Sequence, residues 1–328
     1  MQVKEFQNTL LSWYKVKGRH TLPWRNKTIP NRAYVVLISE IMLQQTQVKV
    51  VLERYFFPFL EKFPNLEALS QAKEEDILLS WQGLGYYTRP RNLQKLAKIC
   101  AKTGLPREVE SLIKLPGIGA YTAGAIACFG YDVSVSFVDS NIKRILIRLF
   151  ALKNPSQKQL EQKAKAILNL QDSFNHNQAL LDLGALICTA KSPKCTICPI
   201  SKFCQGKDFW QTLTIKTQKR NLKKSLHLAI CIKDSKIALI KSTQKLYFGL
   251  YNFPEISHSM THQQIGILKH AYTKYTLKVH CYITQQSAIA NSKAEFFHTD
   301  SLDSIPLSSL ALKVIKLLQV KNILKSPL

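Results

Sequence analysis

Residues 115–124 read Leu115-Pro116-Gly117-Ile118-Gly119-Ala120-Tyr121-Thr122-Ala123-Gly124. Two glycines at i and i+2 let the backbone approach a ligand closely. The run Ala120–Phe129 behind them is rich in small residues and spaced as a helix. The free amides of the turn and of the helix start then face an anion. A helix, a glycine hairpin and a second helix together form a device whose main-chain amides hold one backbone phosphate, without reading sequence. A Gly-x-Gly pair by itself is also found in ordinary tight turns. The Leu115-Pro116 before it and Tyr121-Thr122-Ala123-Gly124 after it single this one out.

On both sides of the hairpin the chain reads as helical, up to about Lys207. Apolar residues recur at helical spacing in Phe6–Trp13, Ala33–Val51, Leu93–Ala101, Ile142–Phe150 and Gln178–Cys188. Pro23, Pro30, Pro64, Gly83, Gly85 and Pro106 punctuate these segments. The 328 residues suit two domains. Lysine and arginine number 46 against 21 acidic residues, a formal charge of +25. That balance favours a polyanionic partner, either nucleic acid or an anionic membrane surface, with a solvated basic face as the alternative that charge alone leaves open. Apolar runs such as Ala33–Leu43 and Leu226–Ile232 are too short or too interrupted to span a bilayer. Met1–His20 lacks the apolar core and cleavage site of a signal peptide. The expectation is an intracellular monomer, in the cytoplasm or nucleoid of a bacterium-like cell, with no membrane partner.

Disulfides are rare in that setting, so the eight cysteines need another account. Cys100, Cys128, Cys231 and Cys281 stand alone in apolar or mixed segments and read as small buried hydrophobes. Cys188, Cys195, Cys198 and Cys204 are spaced C-x6-C-x2-C-x5-C, with Pro193 and Pro199 turning the chain between them. Four converging thiolates mean zinc or an iron–sulfur cluster. A single short knuckle flanked by longer loops fits the larger cubane better than zinc.

A basic stretch, Lys216–Lys224, follows with no acidic residue in it. It is either a solvated tether or a strip that touches phosphates. Beyond it the period changes to two. His227–Ile232 and Lys236–Lys241 read as strands around a turn at Asp234-Ser235, Leu277–Ile283 as another strand, and Leu307–Leu318 as a helix. The reading is a helical domain over 1–210 with a cysteine loop at 188–204, a linker over 211–225, and an α+β domain over 226–328.

Several motifs in the same order resemble the endonuclease III superfamily, and within it the adenine DNA glycosylases of the MutY family. They are Leu22-Pro23-Trp24-Arg25, Ser39 to Val48, Gly83-Leu84-Gly85-Tyr86-Tyr87, Arg91-Asn92, the hairpin, Val138-Asp139-Ser140-Asn141 with Lys143-Arg144, and Asp182-Leu183-Gly184-Ala185. The resemblance spans nearly the whole chain and includes the cysteine spacing. It implies a two-lobed, mainly α glycosylase domain with a helix-hairpin-helix and a loop holding a [4Fe–4S] cluster. It also implies base excision repair of duplex DNA carrying adenine opposite 8-oxoguanine or guanine. The target nucleotide would be flipped into a pocket.

Hydrolysis of an N-glycosidic bond needs a proton for the departing base and a counter-charge for the sugar cation, work that paired carboxylates do. Glu40 lies in the apolar run Val35–Leu43, where burial would keep it protonated for donation. Asp139 precedes the helix Asn141–Phe150 and suits a helix cap; the resemblance makes it the stabiliser of the cation, supported by Asn141. Tyr121 stands where bifunctional relatives place a lysine that forms a Schiff base and cuts the strand. The resemblance therefore implies a monofunctional enzyme. It further implies that Trp24, Arg25, Leu43 and Asp182 shape the adenine pocket. Gln45 and Tyr87 would wedge beside the opposing base, and Gly117 and Gly119 would hold the phosphate.

Gly249-Leu250-Tyr251-Asn252-Phe253-Pro254 resembles a motif of the family's Nudix-like C-terminal domain. A Nudix box is absent from the sequence, so the implied task is recognition of 8-oxoguanine and not nucleotide hydrolysis. Tyr272-Thr273-Lys274 matches the family's Phe-Ser-His recognition loop, with lysine in place of histidine. Two rivals stand beside this reading. One is a bifunctional pyrimidine glycosylase and lyase, against which Tyr121 and the second domain count. The other is a non-catalytic, redox-sensing DNA-binding protein, against which Glu40 and Asp139 count.

Overall fold

The computed structural model describes residues 2–213, 222–244, 247–257, 263–272, 275–290 and 292–324. The chain forms two compact units, Met1–Ser70 with Lys95–Thr217 and Gln71–Gln94 with Gln218–Leu328. The division does not follow chain order: Gln71–Gln94, read from sequence as part of the helical domain, belongs to the second unit.

The first unit is helical. It opens with α1 (Val3–Lys17), α2 (Arg32–Leu43), α3 (Val48–Arg54), α4 (Phe56–Lys62) and α5 (Leu66–Gln71). The helix α6 (Glu74–Ser80) and the first residues of α7 (Thr88–Cys100) lie in the second unit. The first unit closes with α8 (Val109–Leu112), α9 (Ala120–Ala125), α10 (Ser140–Leu149), α11 (Gln157–Ile167) and α12 (Ser173–Leu186).

Phe6, Leu10 and Tyr14 recur at intervals of four, so α1 buries one stripe, and it packs against α12. The central helix α2 is different: every residue from Tyr34 to Met42 is buried, so it is enclosed on all sides. The apolar spacing of Ala33–Val51 predicts one helix, but α2 stops at Leu43 and α3 begins at Val48. Gln45 between them adopts φ 58°. The break at Gln44-Gln45-Thr46-Gln47 carries no glycine or proline, which is why the pattern missed it. After α9 the chain widens into a π-helical turn over Ile126–Gly130. Gly124 is required there, because a Cβ would lie 2.8 Å from the Cβ of Phe137.

The second unit is α+β. One sheet runs β1 (Leu222–Ile230), β6 (Tyr275–Ile283), β5 (Gln263–Tyr272), with β1 parallel and β5 antiparallel to β6. A second sheet joins β2 (Ile232–Lys233), β3 (Lys236–Lys241) and β4 (Tyr251–Asn252), with β7 (Glu295–His298) also on β3. The turn at Asp234 and Ser235 has φ 51° and 56°, the left-handed pair that a tight hairpin needs. Helix α13 (Ser309–Val320) closes the core with Leu310, Val314 and Leu318 against Leu228, Leu239 and Val279. β1 begins at Leu222, inside the stretch read as linker. β5 escaped the sequence reading because it is an edge strand with little burial. No helix among the described residues is long and apolar enough to cross a membrane.

Candidate active site

Glu40 projects from the enclosed helix α2 and is 6% exposed. The Tyr121 hydroxyl, from the first turn of α9, donates to Glu40 Oε2 at 2.7 Å. Burial raises the Glu40 carboxyl to about 7; the hydrogen bond from Tyr121 and the charge of Arg25 oppose this, and Asp139 adds to it. A carboxyl so placed holds a transferable proton near neutrality. Burial, then the charges of Glu40 and Asp139, push the Tyr121 phenol well above its usual range, so it stays a donor.

Asp139 is the N-cap of α10 and accepts from the backbone N–H of Ile142 at 2.6 Å. Its other oxygen accepts from Asn141 Nδ2 at 3.1 Å. Burial raises the Asp139 pKa against these hydrogen bonds and the charge of Arg144. The cap fixes the carboxylate's orientation while leaving it half-buried. Sequence reasoning missed the next link. Arg144 Nη2 donates to Asn141 Oδ1 at 2.8 Å and to the Gly184 carbonyl at 2.7 Å, and its Nε donates to the Cys188 carbonyl at 2.7 Å. One guanidinium thus ties the surroundings of Asp139 to the first residue of the cysteine loop. Gly184 permits the approach: a Cβ there would lie 2.6 Å from the Cβ of Asn141.

Arg25 and Asp182 form a buried bidentate pair, at 2.8 Å and 2.7 Å. Arg19 adds its backbone N–H at 2.8 Å and its Nε at 2.7 Å to the same carboxylate. Burial alone would raise the Asp182 pKa, but Arg25 and Arg19 hold it below the usual carboxylate range. Asp182 is fully buried and its carboxylate is engaged by Arg25 and Arg19, while Arg25 Nε is buried with no hydrogen-bond partner among the described residues. Arg19 went unnoticed because its partner lies far along the chain. Trp24 is buried, edge-on to Phe56, while Leu43 is half-buried and Gln45 exposed.

The aromatic pair divides in the opposite way to the sequence reading. Tyr87 is 6% exposed and its hydroxyl accepts from the Gly83 N–H at 3.1 Å. Tyr86 is 45% exposed with φ 52°. Arg89 places its guanidinium over the Tyr86 ring and donates to the carbonyls of Leu84 and Gly85. In the hairpin, Gly117 has φ 79° and Gly119 leads into α9 with open space where a Cβ would be. Tyr272 is half-buried among Tyr275, His270 and Tyr247; Thr273 and Lys274 lie outside the described residues.

Cys188, Cys195, Cys198 and Cys204 line one cavity together with Arg148 and Trp210. Arg148, 3% exposed, donates to Cys188 Sγ at 3.3 Å and to the carbonyls of Thr189 and Ala190. Four thiols lining one cavity are a donor set that suits the corners of a cubane. Burial pushes the Cys198 thiol up to about 12, and the other three sulfurs push the same way. A cationic iron centre relieves that repulsion, so the donor set fits a cluster.

The HhH-GPD superfamily base excision DNA repair protein model matches residues 38–169, and the iron-sulfur binding domain of endonuclease III matches residues 188–204. The chain is 40% identical over 262 residues to the adenine DNA glycosylase of Buchnera aphidicola subsp. Baizongia pistaciae, covering 76% of this chain and 73% of that one. It is 35% identical over 307 residues to the enzyme of the same name from Buchnera aphidicola subsp. Schizaphis graminum, covering 85% and 87%. Among solved structures it is similar to a thermostable thymine-DNA glycosylase, with TM-score 0.58 and 28% identity over 63% of this chain and 96% of that one.

Proposed function

Because this chain belongs to the adenine DNA glycosylase family, we propose that it releases adenine opposite 8-oxoguanine or guanine by hydrolysis, leaving an abasic site and an uncut strand. The enzyme is a glycosidase of base excision repair that binds duplex DNA and carries a [4Fe–4S] cluster. We further propose that it acts as an intracellular monomer.

The observation that carries the hydrolytic reading is the Tyr121–Glu40 hydrogen bond, 2.7 Å long. A phenol has no amine nitrogen, so Tyr121 cannot form the Schiff base that strand cleavage requires. Glu40, protonated near neutrality, gives its proton to N7 of the flipped adenine as the glycosidic bond breaks and the bonding pair leaves with the base. Asp139 faces the developing cation at the sugar, and Asn141 and Ile142 hold it there. Water then adds at the anomeric carbon and returns a proton to the Glu40 carboxylate. Trp24, Leu43 and the Arg25–Asp182 pair enclose the base. Cys188, Cys195, Cys198 and Cys204 hold the cluster, which when bound cross-links the loop through its thiolates.

Gly117 and Gly119 hold a backbone phosphate by their amides. We assign a wedge role beside the opposing base to Tyr86 in place of the buried Tyr87, and keep Gln45 as a wedge residue of the first unit. Tyr272 and Thr273 serve 8-oxoguanine recognition in a Nudix-like second unit. Single-turnover cleavage of duplexes carrying adenine opposite 8-oxoguanine, adenine opposite guanine, and thymine glycol opposite adenine tests the proposal, with and without alkali. Adenine loss with breaks mainly after alkali is expected. Cleavage of thymine glycol before alkali would overturn it in favour of the bifunctional rival.

A further inference from the structure

We infer that Arg91 is a positioning residue: it fastens Gln71–Gln94 to the rest of the second unit, so that Tyr86 is carried by the body that bears Tyr272. This rests on the proposed wedge role of Tyr86 and adds the reason its position depends on the C-terminal sheets.

Gln71–Gln94 is surrounded in sequence by the first unit, yet it packs with the second. The ties are specific. Arg91 Nε donates to Glu74 Oε1 at 2.7 Å, and its Nη2 donates to the Phe248 carbonyl. The same guanidinium lies over the Phe248 ring, 5.2 Å from its centroid. Gly249 has φ 73°, and a Cβ there would lie 2.8 Å from Arg91 Nη2, so the turn is shaped to admit this side chain. Two further bonds flank it. Lys241 Nζ donates to Glu75 Oε1 at 2.7 Å, and the Leu307 N–H donates to Gln82 Oε1 at 2.7 Å.

Tyr86 sits between these anchors, four residues after Gln82 and five before Arg91. Arg89 clamps its turn from within the same segment. The Tyr86 ring is 45% exposed and its residue is left-handed, so the winding of the segment sets where it points. Its placement is inherited from Arg91 on one side and Gln82 on the other. The exposed Glu75–Lys241 pair adds little energy, whereas Arg91 combines a carboxylate, a carbonyl and a ring face. It is therefore the residue whose loss frees the segment.

Hydrogen exchange followed by mass spectrometry, on the full chain in rising denaturant, tests the mechanical part. Peptides spanning 74–94 are expected to lose protection with β3 and α13, apart from α10 and α12. In Arg91→Ala they are expected to lose it earlier while β3 and α13 keep theirs. Loss of 74–94 together with α10 and α12, loss of the whole chain in one step, or unchanged protection in Arg91→Ala overturns the inference. The functional part reads the rate for adenine opposite 8-oxoguanine relative to guanine. Arg91→Ala is expected to lower that ratio by about fivefold, the size of a coupling near 1 kcal/mol, and to add nothing to Tyr86→Ala. Arg91→Lys, which keeps the charge but not the fork, is expected to recover part of it. Additivity with Tyr86→Ala overturns the inference. An unchanged ratio in Tyr86→Ala, with the exchange result intact, instead overturns the wedge role on which it rests.

Discussion

Tyr121 donates its hydroxyl hydrogen to Glu40 Oε2 at 2.7 Å, and this bond favours the charged carboxylate against the burial that disfavours it. With Glu40 at about 7, the single-turnover rate is expected to fall about tenfold per pH unit above that value as the donated proton is lost. Tyr121→Phe removes the opposing hydrogen bond, so the alkaline limb moves to higher pH. Glu40→Gln abolishes turnover at every pH. The sign for stability follows the same shift. The folded carboxyl keeps its proton where the unfolded chain has released it, so stability declines as pH rises from 4.5 through about 7. Chemical denaturation of Glu40→Gln across that window is expected to show the decline removed.

Asp139 is both helix cap and proposed counter-charge, and two substitutions separate these tasks. Asn accepts the Ile142 N–H nearly as well as Asp, so Asp139→Asn is expected to melt within a few degrees of the parent. Its single-turnover rate is expected to fall by about a hundredfold or more, the scale of losing a preorganised electrostatic partner. Asp139→Ala loses the cap as well, by about 1 kcal/mol. An active Asp139→Asn enzyme would remove Asp139 from the chemistry and leave it a cap.

Arg144 satisfies the carbonyls of Cys188 and Gly184 and the amide of Asn141 with one guanidinium. Arg144→Gln cannot reach all three, and each buried acceptor left unmade costs about 1–3 kcal/mol. The expected outcome is twofold: less iron per chain by elemental analysis, and slower adenine release even in the fraction that retains iron. Full activity in the iron-loaded fraction would confine Arg144 to holding the loop.

Gly184→Ala tests the same junction from the other side. The added methyl lies 2.6 Å from the Asn141 Cβ, an atom no side-chain rotation moves, so the backbones of α10 and α12 must part there and carry Asn141 away from Asp139. Activity is expected to fall well before the melting temperature does, because a displacement of a few tenths of an ångström misaligns a carboxylate more readily than it opens a core. A melting loss with unaltered single-turnover rate would contradict this.

His176 is fully buried on α12, and neither ring nitrogen has a hydrogen-bond partner among the described residues. Burial lowers its pKa from 6.5 to about 4, with Asp172 opposing. The unfolded chain takes up a proton that the folded chain refuses, so stability is lost as pH falls from 6.5 towards 4. His176→Phe, which keeps a ring facing Phe6, is expected to raise the melting temperature and flatten that acid limb. Calorimetry at pH values on either side of the window distinguishes the two slopes.

Much of the site was legible because it is local. The glycine turn before α9, the burial of Glu40 in a largely apolar run and the cap of α10 by Asp139 each follow from neighbours in sequence, while the roles assigned to these residues came from the family resemblance. What was not legible depends on winding or on distant partners. Gly83, Gly85 and Tyr86 all take positive φ, and that winding exposes Tyr86 and buries Tyr87, which no periodicity encodes. Arg19 and Arg144 matter through acceptors on or beyond the far helix α12. β5 lacks apolar alternation because its pairing is to one neighbour only. The break after Leu43 has no residue that forbids a helix, so packing alone sets it.

The two units are interleaved along the chain, with the second entered at Gln71, left after Gln94 and entered again at Gln218. Neither can be inherited, exchanged or grafted as one uninterrupted cassette. A recombination event that swaps only the C-terminal stretch brings in a Phe248-Gly249 turn selected beside a different arginine. Successful hybrids within this family are therefore expected to carry a second, internal crossover near residues 71 and 94, or to share the residues that meet there.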